Sequence, residues 1–204
     1  MALMVLDDCV AERLNAERAA NGLARHDEVW EGLYVMAPPA DTEHQVLQAR
    51  LTTVIQNAFG LAAPELVMGG ANVSDRDEDW LQNYRIPDIV VVLPGSRARD
   101  CGAHWCGGPD FCAEIASPGD RNRDKVDFYS SIGVGELLII DRDPWSLELF
   151  RLSGNRLQSV GRSDLNAPAT LASTVVPVSF TLQPASPRPR IAVAHRDGQQ
   201  HWIV

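Results

Sequence analysis

Residues 111–141, FCAEIASPGDRNRDKVDFYSSIGVGELLIID, decide the fold because two short apolar runs flank a segment with helical spacing. The runs FCAEIAS and ELLIID have the length and composition of buried strands. Pro118 and Gly119 end the first run, and residues 122–132 form the predicted helix, which stops at Gly133. A strand, a helix and a strand in this order form a crossover between two parallel strands. The stretch therefore predicts an α/β fold.

The first of these runs contains a carboxylate, Glu114, at a position where a buried strand normally carries an apolar side chain. Burial of an ionised carboxylate is unfavourable unless a metal ion or a cationic side chain compensates the charge. Lys125 follows in the first turns of the predicted helix, and Arg121 and Arg123 precede it. Glu114 therefore predicts either a functional site or a structural salt bridge to one of these arginines.

A second carboxylate, Asp88, opens the apolar run IPDIVVVLPG, which Pro87 and Pro94 bound and which is typical of a buried strand. If this strand neighbours the one with Glu114, a strand spacing of about 4.8 Å brings the two carboxylates together. Two carboxylates can hold a hard divalent cation, and a lysine beside them can orient water or stabilise developing negative charge. The alternative is that Asp88 only hydrogen-bonds a turn, since Pro-Asp is common in turns.

The remaining segments predict a mixed sheet flanked by helices. Residues 4–20 fit one helix, residues 28–36 fit one or two strands, and residues 42–59 fit a second helix with an apolar stripe. Glu43 lies in the first turn of that helix, where an acid also complements the helix dipole. Alternating patterns after residue 141 predict antiparallel strands. We expect one domain over residues 1–204, with a core at about 28–152 and a β extension at about 153–204.

The composition limits the classes of function. The formal net charge of −9 argues against broad, non-specific adhesion to nucleic acid, although it allows a local basic cleft. No apolar run reaches the roughly 18 residues of a membrane span. The first residues, MALMVLDDCV, lack the basic region of a secretion signal, so we expect a cytoplasmic protein with reduced cysteines.

The cysteines suggest a second kind of metal site. Cys101, His104 and Cys106 are close in sequence, and Cys112 is a further candidate ligand for zinc. The paired C-x-x-C spacing of many zinc sites is missing, and a cysteine within an apolar strand is commonly a small buried thiol. A zinc-dependent structural or regulatory protein is therefore the third hypothesis for function.

The two strands with their acids resemble the PD-(D/E)XK nuclease superfamily, in which a strand opened by Pro-Asp, here PDIVVVL, precedes a strand with an acid. The longer segments WEGLYVMAPPADTEHQ and EIASPGDRNRDKVDFYSSIGVGELLIID resemble a bacterial group of Uma-type restriction endonucleases over about residues 28–152. The resemblance implies a restriction-endonuclease-like mixed sheet. It also implies Asp88 and Glu114 as metal ligands, Lys125 as the catalytic lysine and Glu43 as an accessory acid.

One position departs from the superfamily pattern. The E-x-K motif places lysine two residues after the glutamate, where this chain has Ala116. The Uma-type group is expected to supply the lysine from the following helix, which fits Lys125. If Lys125 does not take that place, the chain lacks its catalytic lysine.

The resemblance implies a divalent-metal-dependent endonuclease that uses Mg²⁺, or Mn²⁺ in its place, and that cleaves DNA. A homodimer with a shared cleft is compatible with it. The alternative is a catalytically silent module that keeps the nuclease fold for binding nucleic acid or protein, and the acidic balance of the chain motivates that alternative.

Overall fold

The computed structural model describes residues 2–116 and 121–204, which form three α-helices and three β-sheets. Pro118 and Gly119, which were predicted to end a strand, lie outside the described residues. The α-helices are α1 (Asp8–Ala20), α2 (Thr42–Phe59) and α3 (Val126–Ile132), and 3₁₀ turns cover Ala24–His26, Trp80–Gln82 and Asn122–Lys125. The strands that precede α3 are β1 (Leu3–Val5), β2 (Glu28–Trp30), β3 (Leu33–Met36), β4 (Leu66–Gly69), β5 (Val73–Ser74), β6 (Tyr84–Arg85), β7 (Ile89–Val92), β8 (Arg99–Asp100), β9 (Trp105–Cys106) and β10 (Phe111–Ile115). The later strands are β11 (Glu136–Arg142), β12 (Trp145–Ser153), β13 (Arg156–Asp164), β14 (Leu171–Ala172), β15 (Val178–Gln183), β16 (Arg190–His195) and β17 (His201–Ile203).

The described strands pair into sheets of seven, six and four members. The first sheet has the order β1-β3-β2-β6-β5-β9-β8, the central sheet β13-β12-β11-β10-β7-β4, and the C-terminal sheet β14-β15-β16-β17. In the central sheet β10 and β11 are parallel, as the crossover predicts, and the other pairs are antiparallel. The predicted mixed α/β fold with an antiparallel extension is therefore confirmed.

The N-terminal segment differs from the predicted helix over residues 4–20. Leu3–Val5 pair with β3, and the helix begins only at Asp8, because the side chain of Asp7 accepts a hydrogen bond from the Val10 amide as an N-cap. The apolar residue at the expected start of the helical stripe, Leu6, is 83% exposed, and α1 has no buried residue. The spacing of apolar residues here does not mark a buried face.

The second helix agrees closely with its prediction and anchors the core. Its N-cap is Asp41, whose side chain accepts a hydrogen bond from the His44 amide. Its apolar stripe is buried against one face of the central sheet, together with residues of the C-terminal sheet. The buried helix residues are His44, Leu47, Leu51, Val54 and Ile55.

The two faces of the central sheet carry two separate apolar clusters, as the alternation of side chains along a strand requires. Ala113 and Ile115 of β10 face the cluster with α2. Cys112 faces the cluster with Phe128 and Tyr129 of α3. Glu114 is two residues from Cys112, so its side chain lies on the same face of β10, toward α3.

The C-terminal strands share the α2-side cluster with the central sheet, since Phe180, Leu182 and Ile191 belong to it. β13 extends the central sheet, and the separate four-stranded sheet starts at β14. The predicted domain boundaries stay a prediction. In the part of the chain that the structure describes, no helix is both long enough and apolar enough to cross a membrane.

The polar segments 70–86 and 97–110 contain short strands. β5, β6, β8 and β9 have two residues each and complete the first sheet. Strands of two residues are too short to show a period in the sequence, so periodicity could not reveal them.

Candidate active site

The pairing of β7 with β10 brings Asp88 and Glu114 together. In this antiparallel pair Ile89 lies opposite Ala113, and one further step of the same register places Asp88 opposite Glu114. The Asp88 carboxylate also accepts a hydrogen bond of 2.7 Å from the Ile115 amide. Two acids that face each other across neighbouring strands repel when both are ionised, so the arrangement requires a nearby cation.

Lys125 provides a cation at this point. Its Nζ lies 3.1 Å from each carboxylate oxygen of Glu114. The 3₁₀ turn Asn122–Lys125, directly before α3, carries the lysine back over the end of β10. The structure therefore brings together Asp88, Glu114 and Lys125, and Lys125 reaches the glutamate although Ala116 occupies the E-x-K position.

Lys125 is also the only lysine in the chain, in which the other seventeen basic residues are arginines. An ammonium group is compact and has three donors, whereas a guanidinium is a planar fork. The Nζ donates to three carboxylate oxygens, two from Glu114 and one from Glu28. This geometry suits an ammonium group and gives a physical reason for a lysine at this position.

Glu28 is a site residue that sequence reasoning missed. It lies on β2, and its Oε1 accepts from Lys125 Nζ at 2.8 Å and from the Ile86 amide at 2.8 Å. Its Oε2 accepts from Trp30 Nε1. The side chain is buried, as are those of Glu114 and Lys125. The sequence signal that was available is an acid at the start of an apolar strand, the same signal that identified Asp88.

Two further side chains fix the orientation of the paired acids. The hydroxyl of Tyr129, on α3, donates to Glu114 Oε1. His44 Nε2, from the first turn of α2, contacts Asp88 Oδ1 at 2.8 Å. Both contacts therefore add a side chain to the site. Partners of this kind orient metal-binding carboxylates in proteins.

The electrostatics of the site follow from its burial. Burial raises the pKa of Glu114 from its ordinary value of 4.5 to about 8, and the charges of Asp88 and Glu28 add to this rise while Lys125 opposes it. Burial alone would lower the pKa of Lys125, but the charges of Glu114 and Glu28 outweigh it and raise that pKa. Burial also raises the pKa of Tyr129, so its hydroxyl keeps its proton and donates.

An open pocket of about 440 Å³ lies between the first sheet, α2 and the central sheet, and its lining includes Glu28, His44, Asp88, Glu114 and Lys125. Basic and amide side chains share its lining with the acids. The lining includes Arg25, His26, Glu28, His44, Gln48, Asp88, Glu114, Arg121, Asn122 and Lys125. The pocket therefore combines anionic ligands at its base with cationic groups that suit an anionic substrate.

Glu43 does not join this pocket. Its carboxylate contacts Arg142 Nη1 at 3.1 Å and Arg188 Nε at 3.3 Å, in an ion-pair cluster that also contains Asp41. Glu43 is not among the pocket-lining residues. Its role as an accessory acid stays a prediction.

The structural salt bridge considered for Glu114 involves neither predicted arginine. Arg121 pairs with Asp124, and Arg123 pairs with Asp141 and Glu148. Lys125 instead provides the cation for Glu114. Of the two arginines only Arg121 lines the pocket.

The donor chemistry at the base of the pocket fits a divalent cation. Asp88, Glu114 and Glu28 supply three carboxylates, and in the described residues that form the pocket base Lys125 is the single ammonium group that balances them. Carboxylate oxygens are the ligands that Mg²⁺ and Mn²⁺ prefer. The acids are held by Tyr129, His44 and backbone amides, so their positions are fixed before an ion binds.

Comparison with solved structures identifies the class of fold. A crystal structure described as a putative nuclease belonging to DUF820, from Anabaena variabilis ATCC 29413, superposes with a TM-score of 0.57 at 17% sequence identity. The match covers 72% of this chain and 80% of that chain. At this identity the likeness shows the fold, which is restriction-endonuclease-like. No curated protein sequence is significantly similar to the chain.

A family model gives the more specific assignment. The model with the description "Uma2: Putative restriction endonuclease" matches residues 13–185, which is most of the chain. The chain therefore belongs to the Uma2 family. The expected resemblance is confirmed, and it extends beyond residues 28–152 in both directions.

Proposed function

We propose that the protein is a divalent-metal-dependent endonuclease that hydrolyses phosphodiester bonds in DNA. The observation that carries the proposal is the convergence of Asp88, Glu114 and Lys125 at the base of one open pocket. Membership of the Uma2 family supports the nuclease class. Mg²⁺, with Mn²⁺ as a substitute, and DNA are the finer parts of the proposal, and cytoplasmic location and a homodimer stay predictions.

Asp88 and Glu114 would hold the metal through their carboxylate oxygens, with Glu28 adding negative charge beside them. When bound, the ion supplies Lewis acidity toward a phosphoryl oxygen and toward water. Tyr129 and His44 hold the two acids in place. These hydrogen bonds would keep the carboxylates in the orientation that metal binding needs.

Lys125 would donate hydrogen bonds to the substrate phosphate or to the attacking water. In the structure its three donors face carboxylate oxygens of Glu114 and Glu28. Glu114 would hold the ammonium group of Lys125 less tightly if it also served as a metal ligand, and a donor of Lys125 would then be free for the substrate phosphate. An ammonium group placed where charge develops stabilises the transition state.

Cationic side chains at the pocket wall would position the backbone of the nucleic acid. Arg18, Arg25 and Arg121 line the pocket on an otherwise acidic protein, and since Arg18 is paired with the buried Asp27, Arg25 and Arg121 are the two that would contact the substrate. A local pair of arginines provides phosphate contacts without a broadly basic surface. The proposed mode of binding therefore agrees with the net charge of −9.

The direct test is cleavage of supercoiled plasmid DNA with Mg²⁺ or Mn²⁺ by the wild type and by Glu114→Gln. We expect the wild type to nick the plasmid and chelation to stop it. Glu114→Gln removes one ligand charge at nearly constant volume and is expected to reduce nicking by at least about 10²-fold. Glu12→Gln is the matched control, because Glu12 is an exposed acid on α1. Unchanged cleavage by Glu114→Gln contradicts the proposal.

The second candidate is a catalytically silent module with the same fold. The observation in its favour is that Glu28 and Glu114 already occupy the donors of the single lysine of the pocket, on a chain with a net charge of −9. A wild type that binds Mg²⁺ at Asp88 and Glu114 but cleaves neither DNA nor RNA under any metal condition would select this candidate.

A further inference from the structure

Three unlike side chains meet at the far end of the first sheet, away from the pocket. Asp77, Cys101 and His104 each offer one ligand atom, and these atoms all lie within 4.8 Å of one another. None of the three lines the pocket. In the order of the first sheet, β6 and β5 separate β9, next to His104, from β2, which carries Glu28.

His104 is positioned as a ligand by its own hydrogen bond. Its Nε2 lies 3.0 Å from the carbonyl oxygen of Arg76, so Nε2 carries the proton and donates. The neutral ring then has its lone pair on Nδ1, which is buried and has no hydrogen-bond partner among the described residues. The side chain is only 4% exposed, and Trp80 stacks on it with 4.7 Å between ring centroids. A buried, unpaired nitrogen with a fixed tautomer is the usual arrangement of a metal-binding histidine.

Cys101 is presented next to His104 by a tight turn. The Cys101 amide donates to the His104 carbonyl, and Gly102 has a φ of +82° that favours glycine. The turn joins β8 to β9, so the two side chains leave from opposite ends of a four-residue hairpin connection. Asp77 approaches from a separate loop, where Arg99 Nη1 donates to its Oδ2 at 2.8 Å.

We propose that Asp77, Cys101 and His104 form a zinc-binding site that ties the loop before Trp80 to the turn between β8 and β9. A thiolate, an imidazole and a carboxylate are ligands that Zn²⁺ accepts together, and a thiolate disfavours Mg²⁺. Three protein ligands leave one coordination position for water. The side chain of Asp77 is about half exposed, which gives the ion a path into the site.

This ligand set differs from the one the cysteine spacing suggested. Cys112 is fully buried within β10, in the cluster beneath α3, and burial raises its pKa well above the usual value. Cys106 is not part of the group of three atoms. Asp77 is the third candidate ligand beside Cys101 and His104. It lies 24 residues before Cys101 in the sequence, so the spacing of the cysteines and the histidine could not indicate it.

The test is zinc binding by reduced, metal-stripped protein in competition with a chromophoric chelator. We expect one equivalent of Zn²⁺ at this site in the wild type and at least about tenfold weaker binding in Cys101→Ser and in His104→Gln. Cys9→Ser, which changes an exposed cysteine on α1, is the matched control and is expected to bind as the wild type does. Asp88→Ala is also expected to keep this binding, which separates the zinc site from the proposed catalytic site.

Cobalt substitution gives a readout that does not depend on folding stability. Co²⁺ bound to a thiolate has a charge-transfer absorption, which we expect in the wild type and in Cys9→Ser but not in Cys101→Ser. Cys101 is only partly buried, so Cys101→Ser is expected to fold normally. Absence of this absorption from the wild type, or its full retention in Cys101→Ser, overturns the proposal.

Discussion

At the scale of the residue, the comparison of Glu114 with Glu136 shows how a buried acid at a candidate functional site differs from a buried acid with a structural role. Glu136 is also buried in the central sheet, but Arg151 and the hydroxyls of Ser173 and Thr174 satisfy its carboxylate. Glu114 instead faces a second acid, Asp88, at an open pocket, with Lys125 as the compensating cation. Both glutamates are buried, but only the surroundings of Glu114 are suited to bind a metal ion.

Lys125 provides the first prediction. Lys125→Met and Lys125→Arg are both expected to reduce metal-dependent plasmid cleavage by about 10²-fold or more, because neither side chain can place a compact ammonium group beside Glu114. Metal binding, measured by calorimetry, is expected to persist in Lys125→Met, since the acids remain. Cleavage by Lys125→Arg at the wild-type rate would show that the site needs only a positive charge.

The raised pKa of Glu114 gives a prediction about pH. Burial raises the pKa of Glu114 in the folded, metal-free protein from its ordinary value of 4.5 to about 8, so the folded protein binds this proton more tightly than the unfolded chain does. This group therefore stabilises the fold most below pH 4.5, and its contribution is lost as the pH rises toward 8. Chemical denaturation in chelator at several pH values is expected to show a steeper decline for the wild type than for Glu114→Gln. Equal pH profiles for the two proteins would contradict the assignment.

At the scale of the element, the parallel pair β10 and β11 places the lysine. The segment before β10 packs directly on the end of α3, since the Gly108 amide donates to the Ile132 carbonyl. The amides of Gly135 and Glu136 donate in turn to the carbonyls of Pro109 and Asp110. These contacts fix the position of α3 relative to β10. They therefore also fix the position of the turn before α3 that carries Lys125.

Gly108 tests this packing. A Cβ at Gly108 would lie 2.3 Å from the backbone at Gly133 and Val134, which cannot move without displacing α3. We expect Gly108→Ala to destabilise the fold by about 3 kcal/mol or more. Gly161→Ala is the matched control, because its Cβ would meet only the flexible end of Leu171. Thermal denaturation of the two variants measures the difference, and similar melting temperatures would contradict the account.

The sequence predicted the elements that carry a strong local signal. An acid within an apolar strand is costly, so Glu114 and Asp88 were identifiable, and the cation they need pointed to Lys125. Glu28 carried the signal of an acid at the start of a strand, but nothing local shows that β2 lies against the turn before α3, 97 residues later in the chain. The two-residue strands and the meeting of Asp77 with Cys101 also depend on long-range packing that no local pattern records.

At the scale of the whole molecule, this acidic protein is proposed to bind DNA through two arginines at the edge of the pocket, Arg25 and Arg121. Each phosphate contact that an arginine makes contributes about 0.9 to the slope of log affinity against log salt concentration. The double variant Arg25→Ala/Arg121→Ala is therefore expected to bind DNA more weakly and with a slope smaller by about 2. Fluorescence anisotropy at several salt concentrations measures both quantities, with Arg156→Ala on the exposed part of β13 as the control. An unchanged slope would exclude these two arginines from the contact.

The most direct test of the central claim uses the single lysine of the chain. Protein labelled with ¹³C at the lysine Cε has one lysine signal, from Lys125, whose Nζ lies 3.1 Å from the proposed metal ligand Glu114. We predict that Mg²⁺ shifts this signal in a saturable manner, that Glu12→Gln behaves as the wild type does, and that Asp88→Ala abolishes the shift. A signal that does not move with Mg²⁺ in the wild type, or that moves equally in Asp88→Ala, would contradict a metal site formed by Asp88 and Glu114 next to Lys125.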